Sequence, residues 1–285
     1  KPSTLWMFTG QGSLRSGDAK TLYQKSPYFK DTLDKYTSIL LDDIDFPLLE
    51  LLVNPHSEQG KLLEQTQYSQ PALVAFQLAQ VSLWKSMGVS PDIVLGHSIG
   101  ELSAAVAANV MEAREALRLS VIRGKLMSEC PNGAMVAVFA SADTFQSIPK
   151  DIVIAGKNGP NMTVLAGATE ILKSYIDSLN GINHVFLPVS HAFHSPFMQK
   201  AATQFASEID ASRLSPPQGT LFISTLTGQA ESKNLQTAEY WSNQITQPVD
   251  FIAAYNTATS LISQVGTIVE IGPSPTLINM AKRIT

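Results

Sequence analysis

The 285-residue chain contains a single cysteine, Cys130. No intramolecular disulfide can form, and a cysteine-rich metal site is excluded. The scarcity fits a reducing cytoplasm, which is the expected compartment. Cys130 precedes the turn signal Pro131-Asn132-Gly133 and reads as structural. Charge is scarce too: charged residues make up 15% of the chain, against 44% hydrophobic. A net charge of -4 gives no electrostatic reason to expect nucleic acid. Apolar stretches such as Leu102 to Met111 are too short for a membrane span. The opening Lys1-Pro2-Ser3-Thr4 shows neither a signal-peptide pattern nor an initiating Met, so a trimmed or excised segment is expected.

What is present alternates. A strand over 4–9 breaks at Gly10-Gln11-Gly12-Ser13, and residues 23–52 are helix-rich. Ser69-Gln70-Pro71 opens a helix to about Met87, with Pro71 early in it and Gly88 ending it. A strand over 92–96 and helices over 100–109 and 112–127 follow. The pattern then changes to strand 134–139, short helix 142–148, strand 152–155, turn 157–161, strand 162–166, helix 169–179 and strand 183–188. That β-α-β-β-α-β order is the ferredoxin-like arrangement. Beyond it come a helix over 195–209, a strand over 221–224, helices over 238–247 and 251–263, and a strand over 267–271. A last helix starts at Thr276. The expected fold class is α/β. An α/β-hydrolase-like large domain (residues 1–129 and 191–285) carries an inserted ferredoxin-like small domain (residues 130–190).

The chemistry points to one turn. An apolar strand runs into Gly96-His97-Ser98-Ile99-Gly100, and a helix follows at once. A nucleophile elbow needs this arrangement, with Ser98 at a strained apex and small residues two before and two after. Three fixed letters in five are a weak signal alone; the flanking strand and helix raise it. The alternative is a glycine-rich connection whose serine only caps the helix. A serine also needs a base within hydrogen-bond reach. Of five histidines, His56 falls in a polar loop and His184 in a strand, so both read as structural or solvated. His97 should project away from the attack path in a supporting role. His191 and His194 are left, in Ser190-His191-Ala192-Phe193-His194-Ser195, where the chain leaves the small domain. Either could equally be a satisfied interface residue.

Together these segments resemble the malonyl-CoA:acyl carrier protein transacylases and the acyltransferase domains of polyketide and fatty acid synthases. The resemblance rests on Gly10-Gln11-Gly12-Ser13, Gly96-His97-Ser98-Ile99-Gly100, His191-Ala192-Phe193-His194-Ser195 and Gly272-Pro273-Ser274, in the family's order. Ile122-Arg123-Gly124 lies where the family carries a specificity arginine, and Gln244 with Pro248-Val249 matches its Gln-x-x-x-Pro-Val. It covers essentially the whole chain.

The resemblance implies roles. Ser98 becomes the acylated nucleophile and His194 the general base. Gln11 and Ile99 supply oxyanion-hole N–H groups. No carboxylate completes a triad; a backbone carbonyl near Gln244 orients the imidazole. Arg123 clamps the malonyl carboxylate bidentately, and Phe193, His97 and Gln244 complete the substrate site. His-Ala-Phe-His resembles the malonyl-selecting form, with Phe193 crowding any α-methyl branch, and Ile99 agrees with it. The implied function moves malonyl from coenzyme A to the phosphopantetheine thiol of an acyl carrier protein. Neighbouring synthase domains are further expected partners; no cofactor and no metal are required. Two other functions compete: a serine hydrolase releasing acyl groups to water, and a non-catalytic docking domain of a synthase.

Overall fold

The computed structural model describes residues 3–55, 58–261 and 265–284; His56 lies outside them. The first strand, β1 (Ser3–Phe8), buries Leu5, Trp6, Met7 and Phe8 completely. A run of four apolar, buried residues belongs inside a sheet covered on both faces. β1 pairs in parallel with β2 (Ile93–Gly96) on one side and with β10 (Val265–Ile271) on the other. Beyond β2 lie β7 (Leu221–Ile223), also parallel, and the antiparallel edge strand β8 (Ala230–Glu231). Successive side chains point to opposite faces. Trp6, Phe8 and Val94 therefore join one core, and Leu5, Met7 and Ile93 another.

The helices cover these faces. Residues 23–52 lie largely within three helices, α1 (Lys20–Lys25), α2 (Pro27–Leu40) and α3 (Leu48–Val53). The Ser26 hydroxyl caps α2 by accepting from the Phe29 N–H. α4 (Thr66–Ser86), α5 (Gly100–Ala107) and α6 (Ala113–Ser128) pack beside them. α4 starts at Thr66, so Pro71 lies inside the helix and not in its first turn. The polar run Thr66-Gln67-Tyr68-Ser69-Gln70 hides this start. Thr66 and Gln70 are buried with hydrogen-bond partners, so their polarity does not end the helix.

The second sheet contains β3 (Ala134–Val138), β4 (Ile152–Gly159), β5 (Met162–Gly167) and β6 (His184–Phe186). Their order β6-β3-β5-β4 is antiparallel throughout, the ferredoxin-like sheet. α7 (Thr169–Asp177) lays Leu172 and Ile176 on it, among Val136, Val138 and Leu165. Two expectations give way here. The helix over 142–148 is a single 3-10 turn, Ala142–Phe145. Phe145 is its one buried anchor, and Pro149 disfavours helix at Ile148. The turn at Lys157-Asn158-Gly159 is strand instead: β4 continues to Gly159, and the chain reverses at Pro160-Asn161. β9 (Val249–Asp250) explains it by pairing in parallel with Gly156 and Lys157.

The helix expected over 195–209 divides into the 3-10 turn Pro196–Met198 and α8 (Gln199–Ala206). α9 (Ala238–Thr246), α10 (Phe251–Ser260) and α11 (Thr276–Ala281) follow. The parallel strands β1 and β2 end together, beside the Gly10 loop and the Ser98 turn. Open α/β sheets form their sites at that edge. Among the described residues, no helix is long and apolar enough to cross a membrane.

Candidate active site

Ser98 sits between β2 and α5 with a φ of 55°. A non-glycine residue there carries strain of about 1–3 kcal/mol. The turn is too tight for side chains on either flank. A Cβ on Gly96 would lie 2.5 Å from the Glu101 nitrogen, and one on Gly100 would collide with the Phe8 carbonyl. His194 adopts the same unusual conformation, with a φ of 54°. The two strained residues meet: Ser98 Oγ lies 2.7 Å from His194 Nε2.

The other ring nitrogen, His194 Nδ1, is 3.1 Å from the Gln247 carbonyl oxygen. A carbonyl only accepts, so Nδ1 carries the proton and Nε2 is left to accept from the serine. Burial pushes the imidazole down to about 3; the nearby Arg123 charge and His97 add to this, against hydrogen bonding to the backbone carbonyls of Gln247 and Gln244. His194 is thus neutral near pH 7 and free to take a proton. The orienting carbonyl, expected near Gln244, belongs to Gln247, just past the end of α9.

Gln244 contributes its side chain. Its Nε2 donates to the Ser98 carbonyl at 2.7 Å, and its Oε1 accepts from Arg123 Nη2 at 3.0 Å. Arg123 Nη1 donates to Gln70 Oε1 at 2.8 Å. Arg123 is 1% exposed, and both partners are neutral amides. Each terminal nitrogen keeps a second N–H with no acceptor among the described residues. Burial draws the guanidinium down to about 10, opposed by the Glu101 carboxylate, and it stays cationic at neutral pH. Such a site can bind a carboxylate bidentately.

The Gly10 loop abuts the elbow: a Cβ on Gly10 would sit 2.8 Å from the His97 carbonyl. Thr9 is pinned by its N–H to Ile271 O at 3.1 Å and by Gln77 Nε2 on its carbonyl at 2.8 Å. Among the described residues, the backbone N–H groups of Gln11 and Ile99 donate to nothing. Two unspent donors beside the half-buried Ser98 hydroxyl suit a developing oxyanion. The Gln11 side chain turns away and accepts from Thr66 Oγ1 at 2.7 Å. Gln11, Thr66, His191 and Phe193 are among the residues lining a cleft of about 560 Å³. Phe193 stacks on His191, ring centroids 5.7 Å apart. Ile99 is buried at the elbow, with only its N–H in play.

His97 points elsewhere. Its Nε2 donates to Asn158 Oδ1 at 2.8 Å, across to the second sheet, and burial lowers its basicity. His184 Nδ1 lies 2.7 Å from the Ile182 carbonyl, and His191 Nε2 lies 3.0 Å from that of Ser128. Among the described residues, no cluster of His, Cys, Asp or Glu could hold a metal ion.

Four groups escaped the sequence reading. Gln70 and Thr66 tie Arg123 to the Gly10 loop. The sequence pattern places Asn158 in a turn. Glu101 is fully buried in α5, accepting from Tyr240 Oη at 2.8 Å and Thr225 N–H at 3.0 Å. Burial pushes its carboxyl up to about 7 against those hydrogen bonds. A signal existed for the first pair. Thr66, Gln70 and Gln77 fall on one stripe of an otherwise apolar helix, and a polar stripe on a buried helix needs polar partners.

Comparison with known proteins agrees with the geometry. The model of the acyl transferase domain family matches residues 5–284. Polyketide synthase GfsA of Streptomyces halstedii is 36% identical over 284 residues, covering 96% of this chain and 4% of that protein. A PKS-NRPS hybrid synthetase of Aspergillus niger is 33% identical over 96% of this chain and 15% of its own length. The chain therefore spans a small part of the curated relatives it matches. Among solved structures, the acyltransferase domain from the second module of the salinomycin polyketide synthase superposes with a TM-score of 0.89. It is 32% identical, over 100% of this chain and 67% of that one. A malonyl CoA-acyl carrier protein transacylase of Clostridium perfringens gives 0.88 at 25% identity, over 99% and 90%. With nearly its whole length matched, and a serine–histidine pair at the turn the motif predicts, the chain belongs to the acyl transferase domain family.

Proposed function

We propose that this domain transfers malonyl from malonyl-CoA to the phosphopantetheine thiol of an acyl carrier protein through a malonyl-Ser98 intermediate. Ser98 Oγ attacks the thioester carbonyl while His194 Nε2 takes its proton. The carbonyl oxygen becomes the oxyanion held by the Gln11 and Ile99 N–H groups. Coenzyme A leaves as the thiol, receiving the proton from His194. The carrier thiol then repeats the steps in reverse order and frees Ser98. Arg123 holds the malonyl carboxylate throughout, with Gln244 and Gln70 steadying the guanidinium. Phe193, fixed by its stack on His191, disfavours an α-methyl branch by about 1–3 kcal/mol. His97 supports the elbow through Asn158.

One observation carries this reading: a buried arginine whose bonded partners are two neutral glutamines, in the same network as the Ser98–His194 pair. A buried cation is normally paired. The names of relatives, polyketide synthases and transacylases among them, are consistent with it. Neighbouring synthase domains, a cytoplasmic setting and a division at residues 129/130 and 190/191 belong to the same proposal.

Intact-protein mass spectrometry tests it. The protein is incubated with malonyl-, methylmalonyl- or acetyl-CoA, and carrier protein is then added. The expected result is a malonyl adduct that persists until the carrier arrives and is lost in Ser98→Ala. An adduct lost at the same rate without carrier would favour a hydrolase.

A further inference from the structure

We infer that Thr66 is a positioning residue that couples the Arg123 carboxylate site to the oxyanion loop, so that an acyl carboxylate raises the acylation rate as well as the binding. This rests on the reading above, in which Arg123 receives that carboxylate.

The hydrogen bonds form one directed chain. Arg123 Nη1 donates to Gln70 Oε1 at 2.8 Å. Gln70 Nε2 donates to Thr66 Oγ1 at 2.7 Å. Thr66 Oγ1 has a single proton, and it goes to Gln11 Oε1 at 2.7 Å. Every donor points from the arginine towards the loop, so each bond polarises the next. A second arm runs from Arg123 Nη2 through Gln244 to the Ser98 carbonyl. The guanidinium is thus the fork of a circuit that ends on both sides of the reacting carbonyl.

The packing makes the link stiff. Thr66 and Gln70 lie one helical turn apart on α4, 5% and 1% exposed. α6 presses on that turn: a Cβ on Gly124, next to Arg123, would sit 2.9 Å from the Thr66 carbonyl. A carboxylate that fixes the guanidinium therefore fixes Gln70, Thr66 and the Gln11 side chain in sequence. The Gln11 N–H then meets the oxyanion already oriented. An acyl group without a carboxylate leaves the fork unloaded and the loop less constrained.

The test is the kinetics of Ser98 acylation in the whole chain, with maximal rate and half-saturation measured separately for malonyl-CoA and acetyl-CoA. Thr66→Val keeps the side-chain shape and removes the hydroxyl; Thr66→Ser restores it. The maximal rate with malonyl-CoA should fall about tenfold in Thr66→Val. With acetyl-CoA it should fall by less than about threefold, half-saturation should move little, and Thr66→Ser should recover most of the loss. Equal losses for both acyl groups, or no recovery in Thr66→Ser, would overturn the coupling, because a merely structural threonine behaves that way. If Thr66→Val folds poorly, Gln11→Met breaks the last link and keeps the backbone N–H; it should show the same malonyl-biased rate loss, and an unbiased loss overturns the coupling. A wild-type chain with no preference for malonyl removes the carboxylate reading and the coupling with it. A wild-type preference retained in full by Thr66→Val removes the coupling alone.

Discussion

Arg118 and Arg123 stand on the same helix and meet opposite surroundings. Arg118 is partly exposed and ion-paired, 2.7 Å from Glu115 and 3.3 Å from Glu208. Arg123 is buried and touches two amide oxygens. The first is partly solvated; its pair with the exposed Glu208 is worth about 0–1 kcal/mol, while the buried Glu115 is shared with Arg213. The second carries the desolvation cost of a buried charge without a bonded carboxylate. In the proposed function, the charge without a bonded carboxylate is the one that receives the acyl carboxylate. The glutamines give the guanidinium direction while leaving its charge largely uncancelled.

The sharpest way to break that contrast is to give Arg123 the bonded carboxylate that Arg118 already has. Gln70→Glu places a carboxylate where an amide oxygen now sits. Malonyl loading should fall about a hundredfold, because the incoming carboxylate would compete with an internal one. Acetyl loading should suffer far less. Stopped-flow or quenched-flow acylation with both thioesters reads the difference.

A smaller effect concerns His194, whose neutrality depends partly on the Arg123 charge. With its basicity pushed down to about 3, His194 stays unprotonated throughout the mildly acidic range. The acylation rate should be nearly flat from pH 7 to 5.5, where an ordinary histidine base would lose about tenfold. The sign for stability follows. Between about pH 3 and 6.5 the unfolded histidine binds a proton that the folded one refuses, so His194 makes the folded state less stable as pH falls through that window. His194→Gln should remove that part of the acid sensitivity in urea denaturation curves at stepped pH. The smallest effect on acyl choice belongs to the paired arginine: Arg118→Ala should leave acyl preference unchanged and cost about 1–2 kcal/mol of stability, because the buried Glu115 keeps Arg213 as a partner.

Much of this was legible from local pattern. Gly96-His97-Ser98-Ile99-Gly100 requires a tight turn because no Cβ fits at Gly96 or Gly100, and that constraint is written in five consecutive residues. The ferredoxin-like strand order follows from short apolar runs divided by turn residues. What escaped depends on contacts distant in sequence. Gln70 reads as a polar residue near a proline until α6 brings Arg123 to it. Asn158 reads as a turn residue until β5 pairs with β4 as far as Gly159, with β9 on the other side at Gly156 and Lys157. Gln247 contributes a backbone carbonyl that any residue supplies, so only the family pattern around Gln244 points towards it, and not to the residue itself. Glu101 is a polar residue in an apolar helix, and its partners Thr225 and Tyr240 lie more than a hundred residues later.

The most direct test of the central claim offers wild-type protein and Arg123→Ala an equal mixture of malonyl-CoA and acetyl-CoA and reads the mass of the acyl-enzyme. Wild type should carry malonyl almost exclusively. Arg123→Ala should lose malonyl by about a hundredfold to a thousandfold and accumulate acetyl on Ser98 instead. An unchanged malonyl-to-acetyl ratio in Arg123→Ala would contradict the account, since the buried charge would then have nothing to do with the choice of acyl group.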